Sequence, residues 1–369
     1  MRLTILSLLS FIFLLAACGG EEEYEREHAT YDFPVEIDGE TVNFTYESTH
    51  DLLDEPDPDV ELVVFVHHGA LQNPISYFKN MKAARDTAAS NHPEMNFKDN
   101  TMIVAPGMIG QKHIEDNPDR YENGNYPYWG GGWRGGSNSK TEPEVSNFEL
   151  LDSMVMHVTS HFPNVKAVVH AGHSAGGQVV SRYSVGTPIY DDLLERDVYP
   201  RYIISNPSSF LYLDKHRPDL DTEDKFIDYS DEVPVVDGEE CPEFNEYAYG
   251  FSGDVVEYMT HRPVDQMIEE FKARDVYLLQ GMEDNNPEHG SLDKSCPAMT
   301  QGRHRLERGL RYYDYFEVMY GSDAYETKFL ETVPGVGHSN AKMFSSDEGY
   351  PLIFFDAEKV RDERLNNEQ

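Results

Sequence analysis

The run Gly172-His173-Ser174-Ala175-Gly176-Gly177 places a serine between small residues two positions before it and two after. A serine hydroxyl is a useful nucleophile only when it stands clear of its backbone and a neighbouring base takes its proton. Small neighbours permit the sharp strand-to-helix turn that exposes it, because larger side chains would collide there. The pattern by itself arises by chance in ordinary turns, so its position matters. Residues 165–171 form a short apolar run interrupted by Lys166 and His170, and residues 178–185 have helical spacing. A helix N-terminus directly after the serine also favours negative charge developing there.

A serine on such a turn needs an acid and a histidine, in that chain order. Gly281-Met282-Glu283-Asp284-Asn285 follows the apolar run 276–279, and Asp284 is the expected acid. Glu283 is the alternative and Asp293 a more distant one. All three would otherwise be solvated turn residues of an acidic protein. Pro334-Gly335-Val336-Gly337-His338-Ser339 follows the run 329–333, and His338 on this glycine-rich loop is the expected base. Two backbone amides should hold the oxyanion of an acyl-transfer reaction. One is that of Ala175. The other is that of Ala70, in the turn His67-His68-Gly69-Ala70 after the apolar run 62–66. His67 and His68 could instead hold a metal, but no third ligand has suitable spacing, and no metal or other cofactor is expected.

One further segment is unusual. Residues 126–136 hold both tryptophans of the chain, Trp129 and Trp133, with Arg134 among five glycines and aromatics nearby. Together with His68 these residues could line a pocket for a sugar, an aromatic acid or a carboxylate. The competing reading packs the tryptophans against a sheet edge.

These groups need a scaffold to position them. Residues 31–37 and 41–46 alternate apolar and polar around Asp38-Gly39, which signals a hairpin. The runs 62–66, 102–105, 165–171, 202–204, 276–279 and 329–333 are short and apolar, as in strands buried on both faces. Helical spacing recurs over 75–90, 144–162, 178–185 and 306–320. The expected fold is α/β: a mostly parallel central sheet flanked by helices, opened by an antiparallel hairpin. Residues 107–141 and 210–262 break the alternation, and the second stretch reads as an inserted, cap-like segment.

The first 17 residues read as a signal peptide: Arg2, then an apolar stretch too short to span a bilayer. Leu15-Ala16-Ala17-Cys18 has the form of a bacterial lipobox, so Cys18 is the expected lipidation site. Residues 18–30 then form an acidic tether, and residues 31–369 the folded domain. An acidic run directly after a lipidated cysteine is similar to surface-export signals of some Gram-negative lipoproteins. The expected location is the bacterial cell envelope, with a membrane contact through the lipid. A formal net charge of −37, from 67 acidic and 30 basic residues, argues against nucleic acid as a partner. Cys241 and Cys296 remain, either as two buried thiols or as a disulfide worth about 4 kcal/mol on chain-entropy grounds.

The serine elbow, the strand-His-Gly turn, the Gly-x-x-Asp after a strand and the late Gly-x-Gly-His resemble the α/β-hydrolase superfamily, from about Asp59 to the C-terminus. Within it the chain is similar to a group of mostly uncharacterised bacterial lipoprotein hydrolases. That likeness rests on His67-His68-Gly69-Ala70-Leu71-Gln72-Asn73, Asn206-Pro207-Ser208-Ser209, Ser295-Cys296-Pro297-Ala298-Met299 and Leu306-Glu307-Arg308-Gly309. The first of these segments also resembles esterases and depolymerases acting on feruloyl groups or polyhydroxyalkanoates. The resemblance implies a serine esterase acting on a small-molecule or polymer-borne ester. An acyl transferase or peptidase with the same triad, or an idle hydrolase fold that binds glycan or protein, are the competing functions. Segment 210–262 departs from simpler relatives.

Overall fold

The computed structural model describes residues 29–222, 225–356 and 360. The signal-peptide and lipobox readings, with Cys18, lie outside these residues. The tether reading does too, except at its end, where the first strand already begins at Ala29.

Strands β1 (Ala29–Ile37) and β2 (Glu40–Ser48) pair antiparallel. Asp38 and Gly39 between them take φ of 51° and 83°. Two positive φ values suit the right-handed twist of a tight hairpin, and Asp-Gly reaches them with little strain. Six parallel strands follow: β3 (Leu62–His67), β4 (Thr101–Pro106), β5 (Ala167–His173), β6 (Tyr199–Ser205), β7 (Asp275–Gly281) and β8 (Lys328–Val333). The sheet order is β1-β2-β4-β3-β5-β6-β7-β8, with β2 antiparallel to β4. The expected mostly parallel sheet with its opening hairpin is therefore present.

Alternation along the strands feeds two cores. Val63, Phe65, Val168, Tyr202, Ile204 and Leu278 face one layer. Val64, Val66, Ile103, Val169, Ile203 and Leu279 face the other. The second layer contains α1 (Pro74–Asn91) and the C-terminal helix Gly349–Phe354. The first contains α2 (Asn147–His161), α3 (Ala175–Gly186), α4 (Val264–Lys272) and α5 (Arg305–Tyr320). Helix α2 begins later than its hydrophobic spacing suggests. Ser146 caps the Phe148 amide, and Glu149 reaches back to the Ser146 amide. This reciprocal cap contributes about 1 kcal/mol and sets the helix start.

Segment 210–262 carries two small hairpins, His216–Pro218 with Phe226–Asp228 and Val235–Val236 with Glu239–Glu240. Its first residues, Phe210 to Leu213, are already buried in the main core, and Phe210 stacks on Tyr312 of α5 at 4.3 Å. The buried Arg217 donates to the carbonyls of Asp214, His216, Phe244 and Tyr249. Cys241 and Cys296 form a disulfide that ties the segment to the turn before α5. Of the two readings for these cysteines, the bridge holds. Among the described residues no helix is long and apolar enough to cross a membrane.

Candidate active site

Ser174 sits where β5 hands over to α3, with φ 59° and ψ −121°. A non-glycine residue tolerates this conformation only where the surroundings over-determine it. Here backbone packs directly on backbone. A Cβ on Gly172 would lie 2.1 Å from the Gly176 carbonyl, and one on Gly176 would lie 2.1 Å from the His67 carbonyl. The Ser174 amide donates to Ser205 on β6 at 2.9 Å. The small residues read from the sequence are thus required by close approach of three strand ends.

Past β8, His338 directs Nε2 at Ser174 Oγ, 3.0 Å away, and Nδ1 at Asp284 Oδ2, 2.7 Å away. A carboxylate accepts, so Nδ1 carries the hydrogen and Nε2 is left to take the serine proton. The loop bearing Asp284 is laced to the one bearing His338: the Glu283 amide donates to the Val336 carbonyl at 2.9 Å. A Cβ at Gly281 would lie 2.5 Å from that same carbonyl. Asp284 alone of the three candidate acids reaches the histidine. Asp293 instead accepts from Tyr249 Oη and the Ser295 amide.

Asp284 is buried, and its carboxylate is held by two groups that the sequence reading did not single out. Asn206 Nδ2 donates to Oδ2 at 2.7 Å, while Asn206 Oδ1 accepts the Gly281 amide at 3.0 Å. Arg305 lies 3.4 Å from Oδ1. Burial would raise the Asp284 pKa, but the His338 hydrogen bond, the His338 and Arg305 charges and the Asn206 amide outweigh it. The carboxyl is held below its usual range and stays ionised. Asn206 adopts φ 45° just past β6, a conformation that asparagine accepts more readily than most residues. The only sequence signal for it was its place in Asn206-Pro207-Ser208-Ser209.

Four histidines pack beneath the site. His67 Nε2 and His170 Nδ1 are 3.1 Å apart, with their rings stacked. Burial, then the charge of His170, holds the His67 pKa well below the usual value, and burial holds His170 at about 3. His68 Nδ1 donates to the Gly69 carbonyl, and its Nε2 accepts the Met108 amide. Burial lowers its pKa to about 4. His173, under the His338 ring, is likewise held well below the usual value by burial and by His338. His67 and His68 are therefore neutral packing groups. The expected pocket role of His68 gives way to that of a strut holding the turn that bears Ala70.

The tryptophans also lie elsewhere than a pocket would need. Trp129 and Trp133 are 2% exposed and belong to the main core, with Trp129 edge-on to Phe44 and Trp133 against His68. Of the two readings, structural packing describes them, though on the interior of the sheet rather than its edge strand, because the glycines around them let the chain fold flat onto the core. Arg134 alone of that set borders the cleft.

The cleft has two sides that meet at Ser174. One is a cavity of about 450 Å³ bordered by Asn73, Tyr77, Asn80, His338 and Asn340. The other, about 350 Å³, is bordered by Ala175, Arg134, Gln178, Asp293 and Lys294. Ala70 borders both, and the adjacent Leu71 is 86% exposed at the mouth. The amides of Ala70 and Ala175 thus come from the two turns on either side of the serine. Ala175 is the first residue of α3, where amides have no intrahelical acceptor.

A mainly parallel sheet with its serine elbow after β5, a carboxylate after β7 and a histidine after β8 is the α/β-hydrolase fold, and the chain has that fold. Among solved structures it is similar to poly(aspartic acid) hydrolase-1 from Sphingomonas sp. KT-1, with 20% identity and a TM-score of 0.53 over 89% of this chain and 98% of that one. It is also similar to a poly(3-hydroxybutyrate) depolymerase from Bordetella parapertussis, with 19% identity and a TM-score of 0.53 over 91% and 94% of the two chains. No protein-family model and no curated protein sequence matches the chain.

Proposed function

We propose that this protein is a serine hydrolase of carboxylic esters, carried at the cell envelope by a lipid on Cys18. The observation that carries the reading is the continuous hydrogen-bond chain Ser174–His338–Asp284, at 3.0 and 2.7 Å, on a strained elbow. Ser174 Oγ attacks the acyl carbon while His338 Nε2 takes its proton. Asp284 holds the Nδ1 hydrogen and offsets the charge of the imidazolium. The amides of Ala175 and Ala70 receive the oxyanion, each contributing about 3 kcal/mol of transition-state stabilisation. His338 protonates the departing alcohol, then activates the water that releases the acyl group.

The test uses the mature chain and its Ser174→Ala variant against a panel of aryl and alkyl esters, with a fluorophosphonate label. The wild type should hydrolyse esters and take one label on Ser174. The variant should take none and lose about 10⁴-fold or more in kcat. Equal rates in the two proteins would refute the reading. Added alcohols, amines and short peptides report transfer or peptidase activity through their products.

A further inference from the structure

The two sides of the cleft differ in charge. The side bordered by Asn73, Tyr77, Asn80 and Asn340 is lined by no aspartate, glutamate, lysine or arginine. The opposite side continues, through Arg134, Gln178 and Asp293, into a cavity of about 260 Å³ that also reaches Arg182, Tyr247 and Tyr249. Ser174, Gln178 and Arg182 are spaced by four along α3 and so share one face of the helix. At 1.5 Å per residue, the Arg182 backbone lies about 12 Å from that of Ser174, and its side chain leans back toward the helix N-terminus.

Arg182 is 3% exposed. Its guanidinium donates to the carbonyls of Ala248 and Arg134 and to Ser209 Oγ, all neutral acceptors. Arg134 keeps a buried Nε without a hydrogen-bond partner. Among the described residues neither arginine has an ion pair with a carboxylate. The other charged groups facing this space are Asp293, Asp254 and Lys294. Asp293 is engaged with Tyr249 and Ser295, Lys294 pairs with Glu288, and Asp254 is exposed at the rim. The Asp293 charge reaches Arg182 only across the cavity and Arg134 lies over the Trp133 ring, so two guanidinium groups stand here without a carboxylate in contact, in a chain of formal charge −37 with carboxylates to spare.

We infer that the arginine side of the cleft binds a carboxylate of the substrate, so that the esters cleaved at Ser174 carry a free acid group. Planar guanidinium groups suit a carboxylate geometrically as well as by charge. Arg134 and Arg182 fix the acid-bearing arm, and the uncharged side receives the other arm. This inference rests on the hydrolase reading for the bond that is cleaved, but the anion site itself stands on its own geometry.

The test compares ester pairs that differ only in a terminal carboxylate. On the acyl side these are 4-nitrophenyl hexanoate and octanoate against the 4-nitrophenyl monoesters of adipic and suberic acid. On the alcohol side they are phenyl butyrate against 4-(carboxymethyl)phenyl butyrate. In at least one pair kcat/KM should favour the acid by about 10- to 100-fold, the range for charge-assisted hydrogen bonds. The ratio should fall toward unity in Arg134→Gln and partly recover in Arg134→Lys. Because each ratio is taken within one protein, a general loss of activity cancels. Adipate titrated calorimetrically into Ser174→Ala, and into Ser174→Ala carrying Arg134→Gln, reads binding without catalysis. A protein that labels at Ser174 and cleaves neutral esters with no preference for the acids overturns the inference and leaves the hydrolase intact. A protein that neither labels nor cleaves refutes the hydrolase. Adipate binding that is lost with Arg134→Gln would then still uphold the anion site, and no binding would overturn it.

Discussion

The strand ends around Ser174 and the segment 210–262 are held by different kinds of contact. At the elbow, backbone lies against backbone: Gly172 on Gly176, Gly176 on His67, Gly281 on Val336. In the segment, discrete side chains serve as clamps: Arg217 on four carbonyls, Tyr315 on the Leu213 and Asp214 amides, and one disulfide. The first arrangement admits no added atom. The second tolerates change at most positions but depends on each clamp. Precise placement of a nucleophile calls for the first, and the second suffices to hold a border of the cleft.

Three variants test that contrast. The largest effect is expected for Gly176→Ala, whose new methyl would sit 2.1 Å from a carbonyl that has nowhere to move. The elbow should fail to form, with a loss of about 5 kcal/mol or more, visible as insoluble expression or the absence of a cooperative melt. Soluble, active Gly176→Ala would break the comparison. Next, Cys241→Ser with Cys296→Ser should lose about 4 kcal/mol. The loss should be local: limited proteolysis should cut first within 210–262, while the surviving core still reacts with fluorophosphonate. The smallest effect on stability is expected for Asn206→Ala, which strips a donor from Asp284 and an acceptor from the Gly281 amide. A cost of about 1–3 kcal/mol should appear chiefly as a 10- to 100-fold fall in kcat/KM with a folded protein. Unchanged kinetics would mean that Arg305 and the loop alone orient the acid.

Much of this was legible in the sequence. The eight strands of the main sheet and helices α1, α2, α3 and α5 follow from apolar runs and helical spacing, because burial on two faces leaves a strong local pattern. Ser174, Asp284 and His338 were legible because strand ends fix their order along the chain. Asn206 and Arg305 were not, since their value lies in a carboxylate 78 and 21 residues away. Trp129 and Trp133 misled for the converse reason. Glycine-rich sequence reads as an open loop, and only long-range contacts with Phe44 and His68 show it folded inward.

The histidines beneath the elbow bear on where such a molecule can persist. Burial holds His68 and His170 at about 4 and 3 and His67 and His173 well below the ordinary value, whereas a free imidazole in the unfolded chain takes up a proton near pH 6.5. Unfolding therefore takes up protons on these rings once the pH falls below that value. Asp152 opposes this by one, since burial raises its pKa to about 6 and the folded state takes that proton first. Below about pH 6.5 the unfolded chain binds more protons than the folded one, so stability falls as the pH drops through that range. The floor of the cleft is thus an acid-labile keystone, which loosens the fold as the surroundings acidify.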